Sequence, residues 1–251
     1  MQERSPTLDR FVLTLTGKPV PRVCFLPTAS GDPREQTTRF YERFSAWPCE
    51  LSVLSLFHLG RDRVDPRSHL LSQDAIYVGG GSMRNMLAVW REHAVDDAMR
   101  AAWERGIVLA GLSAGAMCWF QGGLTMSAGY AAPAPGLGLL QGSMSVHMDG
   151  EPERMPAYRE AVATGALPDG YAVDDSAALL FCGPRLHECV GSRGGARVIR
   201  VRADGAGGVT ELALPVRLLP GSGPTSGVEA MTGSDGVSEL RALRAGRHRW
   251  D

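Results

Sequence analysis

The stretch Ile107-Val108-Leu109-Ala110-Gly111-Leu112-Ser113-Ala114-Gly115-Ala116-Met117-Cys118-Trp119-Phe120 reads as a strand, a sharp turn and a helix. Ile107 to Ala110 are apolar with β-branched residues at the start, which suits a strand buried on both faces. Gly111 and Gly115 flank Ser113 in a G-x-S-x-G pattern, the spacing of a nucleophile elbow. In such a turn the small flanking residues let the backbone fold beneath one serine and lift its hydroxyl clear of the sheet. Ala114, Ala116, Met117 and Trp119 continue with helical character, so the N–H of Ala114 sits at a positive helix end and can donate to an oxyanion. A turn that merely joins a strand to a helix has the same five residues, and the pattern alone does not separate the two readings.

The segments before the elbow alternate between short apolar runs and helical spacings. Arg22–Pro27, Leu51–Phe57 and Asp74–Val78 read as strands, and Phe11–Leu15 as a further strand at the edge. Phe40, Phe44 and Trp47, and then Met83, Leu87, Trp90 and Ala94, recur at helical intervals. Asp96 reads as the cap of another helix that ends at Gly106. This alternation predicts an α/β fold, a doubly wound, mostly parallel sheet that presents ligands at the carboxyl ends of its strands. Gly79-Gly80-Gly81 and Ser113 both fall at such ends. Residues 121–146, rich in Gly, Ala, Pro and Ser, read as loop with few long elements. Met155–Ala166 reads as a helix, Ala177–Cys182 and Arg197–Val201 as additional C-terminal strands, and Asp204–Gly208 as a hairpin turn into Val209–Leu214. The expected organisation is one α/β domain over 1–251, with a core at about 22–202 and a hairpin and tail over 203–251. Arg241, Arg244, Arg247 and Arg249 in that tail read as a solvated end.

Composition narrows the function classes. The chain has 251 residues and a formal net charge of -1, which argues against a nucleic-acid binder. No apolar run is long enough to span a membrane, and Met1-Gln2-Glu3-Arg4-Ser5-Pro6 does not read as a signal peptide, so no membrane partner is expected. Cys24, Cys49, Cys118, Cys182 and Cys189 are odd in number and scattered, as free thiols in a reducing cytoplasm would be. No C-x-x-C or H-x-x-x-H pair occurs, so neither a metal nor a cofactor is expected.

A serine hydroxyl needs a base to take its proton as it attacks, and histidine suits that task. Among six histidines, His147 stands out because it follows the loop that begins after the elbow helix and has acids just behind it. A loop histidine satisfied by local hydrogen bonds is the plainer reading of the same residue. No Asp or Glu lies between Ala114 and Val146, so an acid that orients the imidazole comes later in the chain. Asp149, Glu151, Asp174 and Asp175 are the candidates. Asp149 is nearest, and in an extended segment a two-residue offset turns both side chains to one face; an Asp-Gly turn residue is the alternative. The triple glycine lacks the spacing and lysine of a phosphate-binding loop. It reads better as the source of a second oxyanion donor, from Gly80 or Gly81, where one donor is worth ~3 kcal/mol.

Taken together, Asp74–Gly81, Gly111–Ala116, Gly136-Leu137-Gly138-Leu139-Leu140 and His147-Met148-Asp149-Gly150-Glu151, in that order, resemble peptidase family S51, which includes peptidase E and cyanophycinase. The resemblance runs from about Arg22 to about Val201. It implies a fold similar to the class I glutamine amidotransferases, which is flavodoxin-like, and hydrolysis of short peptides by Ser113 with His147 as base. The substrate preference it implies is for an acidic residue. Two departures stand out. Ser82 occupies the place where relatives often carry Asn after the triple glycine, and is therefore a candidate substrate contact. Thr125-Met126-Ser127 replaces a Thr-Asp-Ser, and a methionine cannot orient an imidazole. Arg154 lies where relatives place an arginine, and is a candidate partner of a substrate carboxylate; an exposed arginine at a helix start is the alternative reading. The partner expected is a small peptide, and a homodimer is a possible assembly. Two alternatives stand beside this reading. One is a family member that binds a ligand without cleaving it. The other is a serine esterase, disfavoured because its acid should lie between the serine and the histidine.

Overall fold

The computed structural model describes residues 6–62 and 64–221. In chain order the elements are α1 (Thr7–Leu15), β1 (Arg22–Leu26), α2 (Arg34–Phe44), β2 (Glu50–Val53), α3 (Leu59–Asp62), α4 (Pro66–Leu71), β3 (Ala75–Val78), α5 (Met83–Glu92), α6 (Val95–Glu104), β4 (Val108–Gly111) and α7 (Ala114–Met117). They continue with β5 (Phe120–Thr125), β6 (Ala132–Pro135), β7 (Leu140–Val146), α8 (Arg154–Ala163), β8 (Gly170–Val173), β9 (Ala177–Cys182), β10 (Arg185–Gly191), β11 (Val198–Ala203), β12 (Val209–Leu214) and β13 (Val216–Leu218). The arginine-rich tail lies outside the described residues.

The first half is an α/β unit. Its strands pair in the order β2-β1-β3-β4, all parallel, with Val78 beside Gly111 at the carboxyl end. Parallel neighbours need crossovers, and the helices that supply them bury Met83, Met86, Trp90, Ala98 and Met99 against the sheet. The second half is a six-stranded mixed sheet ordered β12-β11-β8-β7-β5-β6, beside a three-stranded sheet ordered β13-β10-β9. β7 runs parallel to β8 with Val146 beside Val173, so their carboxyl ends coincide.

Four sequence expectations change. Leu51–Phe57 is not one strand: β2 ends at Val53, and Leu56–His58 forms a short 3₁₀ turn. Phe11–Leu15 is not an edge strand but the second half of α1. Leu8, Phe11, Val12 and Leu15 recur at helical intervals, and buried Asp9 ties the helix down by accepting from Tyr77 Oη at 2.7 Å and pairing with Arg43 Nη1 at 3.0 Å. Residues 121–146 are not loop; they hold most of β5 and the whole of β6 and β7. Glycine and proline disguise these strands, and the prolines are tolerated because β6 is the sheet's edge. Asp96 does not cap α6 but lies within its first turn, after Ala94 at φ 52°. Among the described residues no helix is long and apolar enough to cross a membrane, and all five cysteines are free.

Candidate active site

Ser113 sits between β4 and α7 with φ 53° and ψ -118°, a backbone conformation that costs a non-glycine residue on the order of 1–3 kcal/mol. The flanking glycines allow it. A Cβ on Gly111 would fall 2.2 Å from Gly115 O, and one on Gly115 2.4 Å from Val78 O, so this turn has no room for side chains on either side of the serine. The result is a strand-turn-helix elbow with Ser113 at its crest, although α7 is only one turn long and Phe120 already begins β5.

His147 follows the last residue of β7 and turns sharply, with φ 64°. Its Nε2 lies 3.0 Å from Ser113 Oγ. Its Nδ1 lies 2.7 Å from Asp175 Oδ1. A carboxylate only accepts, so Nδ1 carries the ring proton and Nε2 turns its lone pair towards the serine hydroxyl. Asp175 comes from the turn between β8 and β9, and the parallel β7–β8 pairing brings that turn beside His147.

The acid at the imidazole is therefore Asp175, not Asp149. The extended geometry expected of His147 to Asp149 does not form. The backbone turns instead, with Gly150 and Glu151 N–H both donating to His147 O at 3.2 and 3.0 Å. Asp149 points to the Asp175 backbone, accepting its N–H at 2.7 Å. Asp175 is one of the later acids in the sequence, and distance along the chain points to Asp149; the β7–β8 register is what brings Asp175 to the imidazole.

Gly80 lies directly against the elbow, and Gly81 lines the same small pocket as Ser113. A Cβ on Gly80 would meet Ser113 Cβ at 3.0 Å, and Gly81, at φ 142°, passes so close to Ala29 that a Cβ there would lie 2.2 Å from its carbonyl. Gly79 N–H donates to Leu26 O and Ser82 N–H to Ala29 O, while Gly115, Ala116 and Met117 donate to Leu112 O or Ser113 O. Among the described residues the N–H groups of Gly80, Gly81 and Ala114 have no protein acceptor.

Two cavities adjoin the serine. A cleft of about 1690 Å³ runs past Ser113, His147 and Asp175 along β4 and β9. A smaller pocket of about 270 Å³ is lined by Ser113, Ser82, Met117, Met126, Ser127 and Arg154, among others. Ser82 also caps α5, its Oγ accepting from Asn85 N–H at 3.2 Å. Arg154 is buried at 5 % exposure; it donates to Glu151 Oε2 at 2.7 Å and to Leu124 O at 3.2 Å. Met126 lines this pocket. Among the described residues no group of three or more His, Cys, Asp or Glu is arranged to hold a metal ion.

Comparison with known proteins agrees with this architecture. The chain is 44% identical over 219 residues to the uncharacterized peptidase YgaJ of Bacillus subtilis (strain 168), covering 87% of this chain and 94% of that one. In fold it is similar to the crystal structure of a peptidase from an acI-B1 Actinobacterium, with a TM-score of 0.63 at 18% identity over 84% of this chain and 89% of that one. The model of peptidase family S51 matches residues 1–189, and the chain belongs to that family of peptidases.

Proposed function

We propose that the protein is a serine-type peptidase that hydrolyses short peptides. The observation that carries this reading is the unbroken relay Ser113 Oγ–His147 Nε2 and His147 Nδ1–Asp175 Oδ1, at 3.0 and 2.7 Å. In the proposed mechanism a peptide carbonyl carbon approaches Ser113 Oγ. His147 Nε2 takes the hydroxyl proton as the Oγ–C bond forms, and Asp175 stabilises the imidazolium. The carbonyl oxygen, now an anion, receives the N–H groups of Ala114 and of Gly80 or Gly81. His147 returns the proton to the departing amine as the C–N bond breaks. Water, deprotonated by the same imidazole, then releases the acyl group from Ser113.

Arg154 gives the small pocket a cation, which supports a preference for substrates with an acidic residue at the cleaved bond. Asp175 meets the imidazole, so a methionine at position 126 does not count against cleavage and gives no support to a family member that only binds a ligand. The test is Ser113→Ala against a dipeptide library. Hydrolysis by the parent and its loss in the variant, with an unchanged circular dichroism spectrum, is the expected result. Turnover retained in Ser113→Ala would remove the serine from the mechanism.

A further inference from the structure

The acid nearest to His147 in sequence does not touch the imidazole, and its carboxylate is wholly engaged elsewhere. Asp149 Oδ1 accepts the Asp175 N–H at 2.7 Å, and Oδ2 pairs with Arg193 Nη2. The same Nη2 reaches the Asp175 carbonyl oxygen at 3.4 Å. Asp175 is thus held at both of its backbone polar groups, the N–H by Asp149 and the C=O by Arg193. Its side chain leaves the Cα between these two anchors and meets His147 Nδ1.

Asp174 is tied to Arg197, its N–H donating to Arg197 O at 3.0 Å and its carboxylate accepting from Arg197 N–H and Nε at 3.0 and 2.9 Å; the anchors on Asp175 hold the next residue, beyond that tie. Asp175 lies between β8 and β9, next to Ser176 at φ 68°, where ladder bonds have stopped. The turn itself contributes a long bond from Ala177 N–H to Asp174 O, 3.4 Å, and Ser176 O accepts from Ser192 N–H at 2.9 Å. Asp149, by contrast, is joined to His147 through one intervening residue, and the tight turn at His147 O fixes that link. Asp149 is therefore a strut between the base and the turn that carries its carboxylate partner.

Resting on the serine-peptidase reading, we infer that Asp149 and Arg193 are positioning residues that set the His147–Asp175 distance through the Asp175 backbone. Neither reaches Ser113 or His147 through its side chain in the hydrogen bonds of the site. Arg193 is half exposed, so the value of the pair is geometric; an exposed ion pair by itself adds little. Burial pulls the Asp149 carboxyl up, but the Asp175 N–H, its own backbone N–H and Arg193 together hold it below the ordinary aspartate range. The strut stays ionised wherever the imidazole works as a base.

The test compares full-length Asp149→Ala, Asp149→Asn, Arg193→Ala and Arg193→Lys with the parent by two readouts. One is the kcat and KM of peptide hydrolysis. The other, independent of activity, is the downfield proton NMR signal of an imidazole N–H held against a carboxylate, assigned by its loss in His147→Gln. Asp149→Ala should lower kcat on the order of ten- to a hundredfold with KM little changed, as a small misplacement of a reacting group does. It should also weaken or abolish the downfield signal. Asp149→Asn keeps an acceptor for the Asp175 N–H and should recover much of both, as should Arg193→Lys relative to Arg193→Ala. An unchanged signal in Asp149→Ala overturns the inference, whatever happens to kcat. If Asp149→Ala does not fold, Asp149→Asn and Arg193→Ala make the same comparison. Failure of the peptidase reading shows itself separately, as no hydrolysis by the parent, and the NMR comparison still decides the positioning role.

Discussion

His147 Nε2 sits 3.0 Å from Ser113 Oγ although 34 positions separate the two residues along the chain. Between them the chain makes α7 and then strands β5, β6 and β7 before returning to the elbow. Both residues hold left-handed backbone conformations, φ 53° and 64°, which side chains rarely adopt. Strain on both sides of one hydrogen bond is a mark of sites where geometry is over-determined by the surrounding structure.

The third member of the relay is tested by Asp175→Asn. The amide can donate to Nδ1 and so favours the tautomer in which Nε2 carries the proton and cannot act as a base. In a triad of this kind that exchange costs on the order of 10⁴ in kcat with the fold intact. Steady-state hydrolysis measures it. A loss no larger than that of Asp149→Asn would take the orienting role away from Asp175.

Gly81→Ala should be damaging twice over. The residue sits at φ 142°, and the new methyl would lie 2.2 Å from Ala29 O, so the glycine loop must shift. Thermal unfolding should occur at lower temperature. The unbonded Gly80 and Gly81 N–H groups would move with the loop, and if one of them serves the oxyanion its loss costs about 10²–10³ in kcat. Wild-type kcat in the folded variant would place the oxyanion elsewhere.

Arg154→Leu tests substrate selection. If the guanidinium meets a substrate carboxylate in the 270 Å³ pocket, the variant loses a charged hydrogen bond worth about 1.5–3 kcal/mol. The ratio of kcat/KM for acidic over neutral dipeptides should then fall by about ten- to a hundredfold. An unchanged ratio would leave Arg154 with its structural partners, Glu151 and the Leu124 carbonyl, and no role in selection.

Stability against acid should depend on Asp149. Its carboxyl titrates below the ordinary aspartate value in the folded state, so its contribution is present above that value. It is lost as pH falls through the depressed one. Unfolding temperature measured against pH should therefore drop less steeply at the acid end in Asp149→Asn than in the parent. Parallel curves would mean that the carboxyl is not held down by its partners.

Much of this site is legible before any coordinates. The elbow announces itself because a turn that crowded tolerates only glycine at Gly111 and Gly115, and the triple glycine marks the loop that presses against it. His147 is legible by its place after an acid-free stretch. The carboxylate that meets the imidazole is not, because strand register decides it: Val146 pairs with Val173, and this brings residues 28 positions apart into contact. Local nearness favoured Asp149, yet the turn at His147 sends that side chain to the Asp175 backbone. The strands β5 to β7 were hidden for another reason. Glycine and proline are loop formers in isolation, but Pro133 and Pro135 are acceptable on an edge strand whose outer side pairs with nothing in the sheet. In α1 the run Phe11–Leu15 looked extended, while the apolar spacing begun at Leu8 is helical.

If His147 makes Ser113 a reactive nucleophile, the serine should be captured by a fluorophosphonate, and intact-protein mass spectrometry reads that capture. The parent should gain a single adduct on Ser113, Ser113→Ala none, and His147→Gln an adduct only at a greatly reduced rate. A parent that stays unlabelled, or labelling of Ser113 that is as fast without the imidazole, would contradict it.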